Sequence, residues 1–153
     1  MIRTLLLFAI ITALSSLPLQ AQSDDGWFTG RLLLCCTGSD GSCRAQVDYT
    51  HYYNFSNHFS SGTGVGVIMG SNAMMPVVCG LRLMPFARMR VNPVILCSGG
   101  YAVPLNGGSG ASIITPRIGL ETGRLARIRY AMDAGCQILG GECCWLIGAG
   151  ILF

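Results

Sequence analysis

The stretch Trp145-Leu-Ile-Gly-Ala-Gly-Ile-Leu-Phe153 decides the fold, because an apolar residue stands at every second position up to its aromatic end. A period of two places alternate side chains on the same face of a β-strand. The series therefore predicts a strand with one continuous apolar face, formed by Trp145, Ile147, Ala149, Ile151 and Phe153.

The composition indicates a membrane setting. The chain has 153 residues, of which 51% are hydrophobic and 11% are charged, whereas ordinary soluble domains carry roughly 25% charged residues. The apolar run of helical length lies at the start, where Leu5 to Leu14 follow the basic segment Met1 to Thr4.

The first 21 residues are predicted to be a secretory signal peptide. A basic start, an apolar core and the small residue Ala21 at the cleavage position are typical of such a segment. A membrane anchor helix is the alternative, but its apolar core is shorter than the ~20 residues that a span needs. We therefore expect a mature chain of residues 22–153, which hides its backbone polar groups in lipid as a closed barrel.

Eight segments of about ten residues, the length of transmembrane strands, follow one another from Trp27 onward. Turn residues such as Gly, Asn, Ser and Pro separate them. Bacterial barrels use an even number of strands, so the fold class is predicted to be all-β, an eight-stranded antiparallel up-and-down transmembrane β-barrel. The predicted strands are Trp27–Cys36, Cys43–Tyr53, Phe59–Met69, Met74–Met84, Arg88–Tyr101, Ala111–Glu121, Leu125–Gln137 and Cys143–Phe153.

The seventh segment shows which face meets lipid. Ile128, Tyr130 and Met132 alternate with Arg129 and Asp133. Apolar side chains toward lipid and charged ones toward the lumen are typical of transmembrane barrels. Applied to every strand, the alternation predicts an interior charge network of Arg44, Asp48, Arg82, Arg117, Glu121, Arg127, Arg129 and Asp133, with Arg31 and Arg90 also facing inward.

Three prolines conflict with regular strands. Pro76, Pro93 and Pro116 lie inside predicted strands and have no N–H to donate to a ladder. We expect bulges or strand ends at these positions.

The aromatic residues agree with the predicted barrel, because they gather near the two ends of the strands, as anchors at the two membrane interfaces do. Trp27, Phe28, Tyr52, Tyr53, Phe55, Phe59, Phe86 and Phe153 would lie at one rim, and Tyr101 and Trp145 at the other.

Residues 62–153 resemble the small outer-membrane β-barrel (porin-like) proteins of Gram-negative bacteria. The matching pieces are GTGVGV at 62–67, PVVCGLRL at 76–83, NPVILCSGGY at 92–101, TPRIGLE at 115–121 and GAGILF at 148–153. The resemblance implies an outer-membrane location, with the lipid bilayer as a partner. It also implies insertion by the outer-membrane assembly machinery, with Trp145, Ile147, Ile151 and Phe153 as the assembly signal. Both termini are expected to face the periplasm, because the turns at 54–58, 85–87 and 122–124 are then periplasmic and the loop at 102–110, the longest, lies outside.

Eight cysteines are a high count for this length, and secretion makes disulfides possible. Cys36 and Cys43 bracket a six-residue turn, and Cys136 and Cys143 do the same. Both pairs are predicted as cross-strand disulfides. The remaining four, predicted as small apolar fillers, are Cys35, Cys79, Cys97 and Cys144. Neither a metal nor a cofactor is expected, because Cys143-Cys144 lacks the spacer of a zinc knuckle.

The sequence favours a structural or interaction role without catalysis. The first alternative is a narrow anion-permeable, porin-like channel lined by arginine, and the second is a lipid-modifying enzyme of the outer membrane. His51 and His58 would lie at the periplasmic end, opposite to the rim where such enzymes place their histidines. A secreted lipocalin is the third alternative, which would invert the two faces. No nucleic-acid partner is expected, because the charges point inward, and no protein partner is assigned.

Overall fold

A computed structural model shows a closed barrel of eight strands, in which each strand pairs antiparallel with its chain neighbours and β1 pairs with β8. The structure describes residues 28–39, 42–86, 89–122 and 129–153, so the predicted signal peptide lies outside the described residues. The predicted fold class is confirmed. The strands are β1 (Phe28–Ser39), β2 (Ser42–Asn54), β3 (Phe59–Ile68), β4 (Met74–Leu83), β5 (Val91–Pro104), β6 (Ala111–Thr122), β7 (Arg129–Leu139) and β8 (Glu142–Leu152).

The two ends of the barrel are distinct. Phe28 and Phe153 lie at the same end, where the backbone N–H of Gly30 donates to the carbonyl oxygen of Phe153 at 2.7 Å. We call this end the terminal rim and the opposite end the distal rim. Within the described parts of the chain, no helix is long and apolar enough to cross a membrane.

Most strand boundaries lie within a few residues of their predicted positions, and the end of β1 and the start of β5 each differ by three residues. β1 runs on to Ser39 and pairs it with Ser42, so residues that favour turns extend the β1–β2 ladder. β5 begins at Val91, after a bend at Met89 and Arg90. Arg90 is therefore exposed in that bend, and its predicted inward position is wrong.

The prolines interrupt the ladder without shifting it. β3 and β4 pair at Val65↔Val77 and again in the same register at Ile68↔Met74, so Pro76 removes pairs but adds no bulge. The ladder between β6 and β7 skips Pro116 in the same way. Pro93 lies near the start of β5, beyond the last pair with β4, where no ladder donor is needed. The expected bulges are absent at these described positions.

The two faces of the sheet alternate as predicted for a transmembrane barrel. Ile118 is 68% exposed and Met132 is 65% exposed on the outside, whereas Arg31 and Arg82 are each 2% exposed on the inside. A soluble lipocalin would reverse this arrangement. Ile128, one of the residues that predict the orientation of the seventh strand, lies in the stretch 123–128, which is outside the described residues.

Aromatic side chains gather at the terminal rim. Phe28, Phe55 and Phe59 are exposed there, and Tyr53 packs edge-on against Phe55 with ring centroids 4.9 Å apart. Tyr52 is the exception, because it points inward and is buried. Tyr101 and Trp145 are exposed near the distal rim, and predicted Trp27 lies outside the described residues.

Apolar clusters occupy the interior toward each end. Near the distal rim, Ile68 and Met74 pack with Ala102 and Ile113. A second cluster near the terminal rim contains Tyr52, Met84, Val94 and Leu96, and a third on β1, β7 and β8 contains Leu33, Cys35, Ala131, Leu146 and Leu152. These side chains flank the charged part of the interior.

Candidate functional site

Six charged side chains form one alternating chain of ion pairs across the barrel. Its order is Arg82, Glu121, Arg31, Asp133, Arg117 and Asp48. The members come from β4, β6, β1, β7, β6 and β2, so the chain ties together five of the eight strands. Three arginines face three acids, and the six charges cancel. We call this group the interior ion chain.

The contacts differ in length along the interior ion chain. Arg82 donates directly to Glu121, and Arg31 Nη2 donates to Asp133 Oδ2 at 3.1 Å. Arg117 Nη2 donates to Asp48 Oδ2 at 3.3 Å. The contacts from Arg31 Nε to Glu121 and from Arg117 Nη1 to Asp133 are longer, at 3.7 and 3.6 Å. Each inner member therefore has an oppositely charged group on both sides.

Neutral groups complete the coordination of the outer members. Gln46 Nε2 donates to Asp48 Oδ1 at 2.8 Å. Arg82 Nη1 donates to the hydroxyl of Ser60 at 3.3 Å, and its guanidinium lies 5.9 Å from the ring centroid of Tyr52. Buried charges are tolerated when they are paired and hydrogen-bonded in this manner.

Glycines on neighbouring strands leave the space that the acids occupy. A Cβ atom on Gly66 would lie 2.3 Å from Asp48 Oδ1, and one on Gly148 would lie 2.9 Å from Asp133 Oδ1. A side chain at either position would therefore force the neighbouring acid to shift. The inward glycines of the sequence thus provide room for the ion pairs.

The structure places the eight predicted network residues in four groups, of which the exposed Arg44 is one. Asp48, Arg82, Arg117, Glu121 and Asp133 belong to the interior ion chain. Arg129 is buried on the inward face of β7, while Arg127 lies outside the described residues.

Arg44 does not belong to the network, which corrects its prediction. It is exposed at the distal rim and forms no ion pair with any residue that the structure describes. The physical reason is the position of Arg44 along the strand. β2 begins at Ser42, only two residues before Arg44, whereas Asp48 of the same strand lies deeper in the barrel.

Arg31 was expected to face inward without an assigned partner, yet it holds the centre of the ion chain. It contacts both Glu121 and Asp133. Its signal in the sequence is the alternation of Arg31, Leu33 and Cys35 with the outward Leu32 and Leu34. That alternation gives the face but leaves the partners open.

The interior spaces that described residues line are small. A space beside Asp48 and Arg117 and another beside Gln137 at the distal rim each hold about 10 Å³, which is about one water molecule. A larger depression of about 470 Å³ lies on the lipid-facing surface, beside His51, Thr63 and Cys79. Among the described residues, the ion chain and the apolar clusters thus occupy the interior, while the larger space lies outside the barrel.

The combination of a charged, filled interior and an apolar exterior decides the architecture. The fold is that of a transmembrane β-barrel. Among solved structures, the chain is similar to the N-terminal β-barrel domain of Pseudomonas aeruginosa OprF, with a TM-score of 0.64 and 8% identity over 82% of this chain and 96% of that chain.

Two further structures are similar to this barrel. A barrel from the de novo design of transmembrane β-barrels has a TM-score of 0.56 and 12% identity, over 86% of this chain and 98% of that chain. Ail of Yersinia pestis, in complex with the heparin analogue sucrose octasulfate, has a TM-score of 0.46 and 14% identity, over 82% and 96%. No protein-family model and no curated protein matches the sequence. The likenesses to the OprF domain and to the designed barrel show the fold alone.

The predicted assembly-signal residues lie on the outer face of β8. Trp145 and Ile147 are 47% and 58% exposed, and Ile151 is half-buried on the same face. Phe153 extends the β8 pairing beyond Leu152 by exchanging two backbone hydrogen bonds with Gly30. Its ring lies over Gly30, since a Cβ atom there would come within 2.6 Å of the ring.

The two predicted cysteine pairs differ in the structure. Cys36 and Cys43 are joined by a disulfide, with Cα atoms 6.4 Å apart. Cys136 and Cys143 are separate thiols, close enough for a hydrogen bond between their side chains. Among the described residues, no three His, Cys, Asp or Glu side chains are grouped in a way that could hold a metal ion.

Proposed function

We propose that this chain is an outer-membrane β-barrel protein with a structural or interaction role, neither an enzyme nor a channel. The observation that carries the proposal is the filled interior. The interior ion chain crosses the barrel, and apolar clusters lie toward both rims. A barrel of eight strands is just wide enough for side chains to fill it.

The lipid bilayer is the first partner that the surface supports. Outward side chains such as Ile114, Ile118 and Ile147 are half or more exposed, which in water would be a large apolar surface. The aromatic side chains at the terminal rim fit the interface between hydrocarbon and headgroups. The outer-membrane assembly machinery is the second partner, with the β8 face from Trp145 to Phe153 as the surface it would read.

The alternative of an anion channel receives less support from the interior. The sequence suggests a channel because inward arginines outnumber inward acids. In the structure, three of those arginines are paired with three acids in the interior ion chain. Arg44 lies at the distal rim and Arg90 in a bend outside the lumen. The spaces of about 10 Å³ inside the barrel would hold a water molecule but not a file of hydrated anions.

The alternative of a lipid-modifying enzyme depends on histidine, and both histidines lie at the terminal rim. The His51 ring stacks on Phe28 with centroids 5.1 Å apart. His58 Nδ1 lies 2.8 Å from the carbonyl oxygen of Met84. These contacts fit interfacial and turn residues. A phospholipid turnover assay on purified protein tests this alternative, and hydrolysis that is lost in the variant His51→Ala would contradict the proposed non-catalytic role.

The location is tested by fractionation of Gram-negative cells that express the full chain. We expect the protein to sediment with outer membranes and to migrate differently on gels before and after boiling. A soluble periplasmic product would contradict the proposal.

The closed interior is tested by conductance across planar lipid bilayers. We expect no discrete conductance steps from the wild-type protein. The paired variant Asp48→Ala with Arg117→Ala removes one negative and one positive charge, so it enlarges the interior without changing net charge, and it should leak ions. Anion-selective steps from the wild-type protein would establish the channel alternative instead.

A further inference from the structure

Two pairs of cysteines occupy equivalent places in two hairpins. In the β1–β2 hairpin, Cys36 lies opposite Ala45, and Cys43 lies opposite Gly38. In the β7–β8 hairpin, Cys136 lies opposite Trp145, and Cys143 lies opposite Ile138. In both hairpins the second cysteine is thus diagonal to the first, two positions closer to the turn. The backbone relation that holds the Cys36–Cys43 disulfide is therefore repeated at Cys136 and Cys143.

The surroundings of the two pairs also match. Cys36 and Cys136 are half-buried, whereas Cys43 and Cys143 are exposed. All four lie on the outer face near the distal rim, within a few residues of the closing pairs Ser39↔Ser42 and Leu139↔Glu142. The Cys136 and Cys143 thiols are also near enough to hydrogen-bond.

We propose that Cys136 and Cys143 form a second disulfide, which closes the β7–β8 hairpin as Cys36–Cys43 closes the β1–β2 hairpin. The inference rests on the proposed outer-membrane location, because disulfides persist in the oxidising compartment that such a chain enters. β1 and β8 are the strands that close the barrel. The two disulfides thus lie in the hairpins on either side of the closing seam.

The oxidant is a disulfide, either of a periplasmic thiol oxidase or of glutathione. One thiol loses its proton, and the thiolate attacks a sulfur of the oxidant, which gives a mixed disulfide and releases one oxidant thiolate. The second protein thiolate then attacks the first protein sulfur and releases the other oxidant thiolate. The pair loses two protons and two electrons, and the oxidant disulfide becomes two thiols.

The remaining cysteines stay reduced for reasons of position. Cys79 lies opposite Gly99 and Cys97 opposite Leu81, which is the same diagonal relation. Both, however, lie in the middle of their strands on the lipid-facing surface, where an apolar medium disfavours the thiolate that exchange requires. Cys35 and Cys144 lie on the inward face of the paired strands β1 and β8. Cys35 lies opposite Gly148, four residues from Cys144, so the two cysteines are too far apart along the strands to pair.

Tryptic peptide mapping tests the proposal directly, because every basic residue of the chain is Arg and each pair falls within one peptide. The protein is refolded in detergent with a glutathione redox buffer, denatured, alkylated without reduction and digested. Peptides 32–44 and 130–153 each contain three cysteines. Each should carry one alkyl group and one internal disulfide. Peptides 45–82 and 91–117 should each carry one alkyl group on their single cysteine.

Two variants assign the disulfide within peptide 130–153. Cys144→Ser should keep the disulfide and lose the one alkyl group, whereas Cys143→Ser should lose the disulfide and carry two alkyl groups. Three alkyl groups on wild-type peptide 130–153 would overturn the proposal, as would a disulfide that survives Cys143→Ser. A crosslink between peptides 45–82 and 91–117 would overturn the expected reduced state of Cys79 and Cys97.

The effect of the second disulfide on thermal stability is tested by the temperature at which the gel mobility of the protein changes on heating. The double variant Cys136→Ser, Cys143→Ser should lower this midpoint by several degrees relative to the wild type. The matched control Cys79→Ser, Cys97→Ser should not. Reductant should abolish the difference between the wild type and the first variant. Because refolding in detergent is independent of location, a missing disulfide would overturn this inference alone, while a soluble cellular product would overturn the proposed function.

Discussion

Glu121 shows at the residue scale why the barrel interior is stable. Its carboxylate accepts from Arg82 and lies beside Arg31, and the acid is 1% exposed. Removing one partner of a buried pair leaves charges that neither water nor protein compensates. Loss of one member of the interior ion chain should therefore destabilise the protein more than loss of one partner of an exposed ion pair.

The variant Glu121→Ala should reduce the free energy of unfolding by about 3–5 kcal/mol, because two buried arginines lose a counter-charge. The measurement is urea unfolding in lipid vesicles. Glu142→Ala is the matched control, since Glu142 is exposed in β8 at the distal rim, and we expect a change within about 0.5 kcal/mol. Equal effects from the two substitutions would contradict the ion chain.

Two adjacent glycines give a second prediction at the residue scale. A Cβ atom on Gly100 would lie 2.0 Å from the carbonyl oxygen of Val77, whereas on Gly99 its nearest neighbour would be the Ile113 carbonyl oxygen at 3.8 Å. Gly100→Ala should destabilise the barrel by about 2 kcal/mol or more because the backbone must shift, and Gly99→Ala should be tolerated. The same unfolding assay compares them, and a tolerated Gly100→Ala would show that the β4–β5 pairing is looser than described.

At the element scale, alternation in the sequence predicts the face of most side chains. The outward Tyr130 and Met132 and the inward Arg129 and Asp133 follow from a period of two. The partners do not follow, because they depend on register and stagger between strands distant in the chain. Arg82 and Glu121, for example, are 39 residues apart.

Depth along a strand and the apolar interior were the harder parts to predict. Arg44 is on the same face of β2 as Asp48 but lies at the rim. A period of two predicts the face of a residue and not how deep in the barrel it lies. Leu96 and Ile113 are buried inside, yet their outward neighbours Ile95 and Ile114 are just as apolar. Where both faces of a strand are apolar, the pattern cannot separate lipid from lumen.

The seam between β1 and β8 gives a prediction at the element scale. The Phe153 ring lies over Gly30 and stacks with Tyr49 at a centroid distance of 6.3 Å. Phe153→Ala should cost about 1 kcal/mol in vesicles, as expected for the loss of an aromatic pair. If β8 is also the assembly signal, the amount inserted in cells should fall several-fold.

The control for this seam prediction is Phe86→Ala, because Phe86 is 57% exposed at the same rim but lies outside β1 and β8. It should leave cellular insertion nearly unchanged. Immunoblots of outer-membrane fractions report the inserted amount, and equal losses from both variants would argue against a special role for the end of β8.

At the scale of the whole molecule, the protein inverts the distribution found in soluble domains. Large apolar side chains cover the outside, and an electrically balanced chain of six charges crosses the inside. This inversion follows from the solvent, since lipid accepts apolar side chains but cannot hydrogen-bond to charges. The filled interior and the proposed structural role both depend on it.

The most direct test of this claim uses the adjacent residues Leu146 and Ile147, which are 0% and 58% exposed. Protein with labelled methyl groups is placed in lipid nanodiscs that contain a spin label on the acyl chain, and methyl NMR signals are recorded. We predict strong broadening of the methyl signals of Ile147 and Ile118, with those of Leu146 and Leu152 retained. Broadening of Leu146 with Ile147 retained would contradict the account.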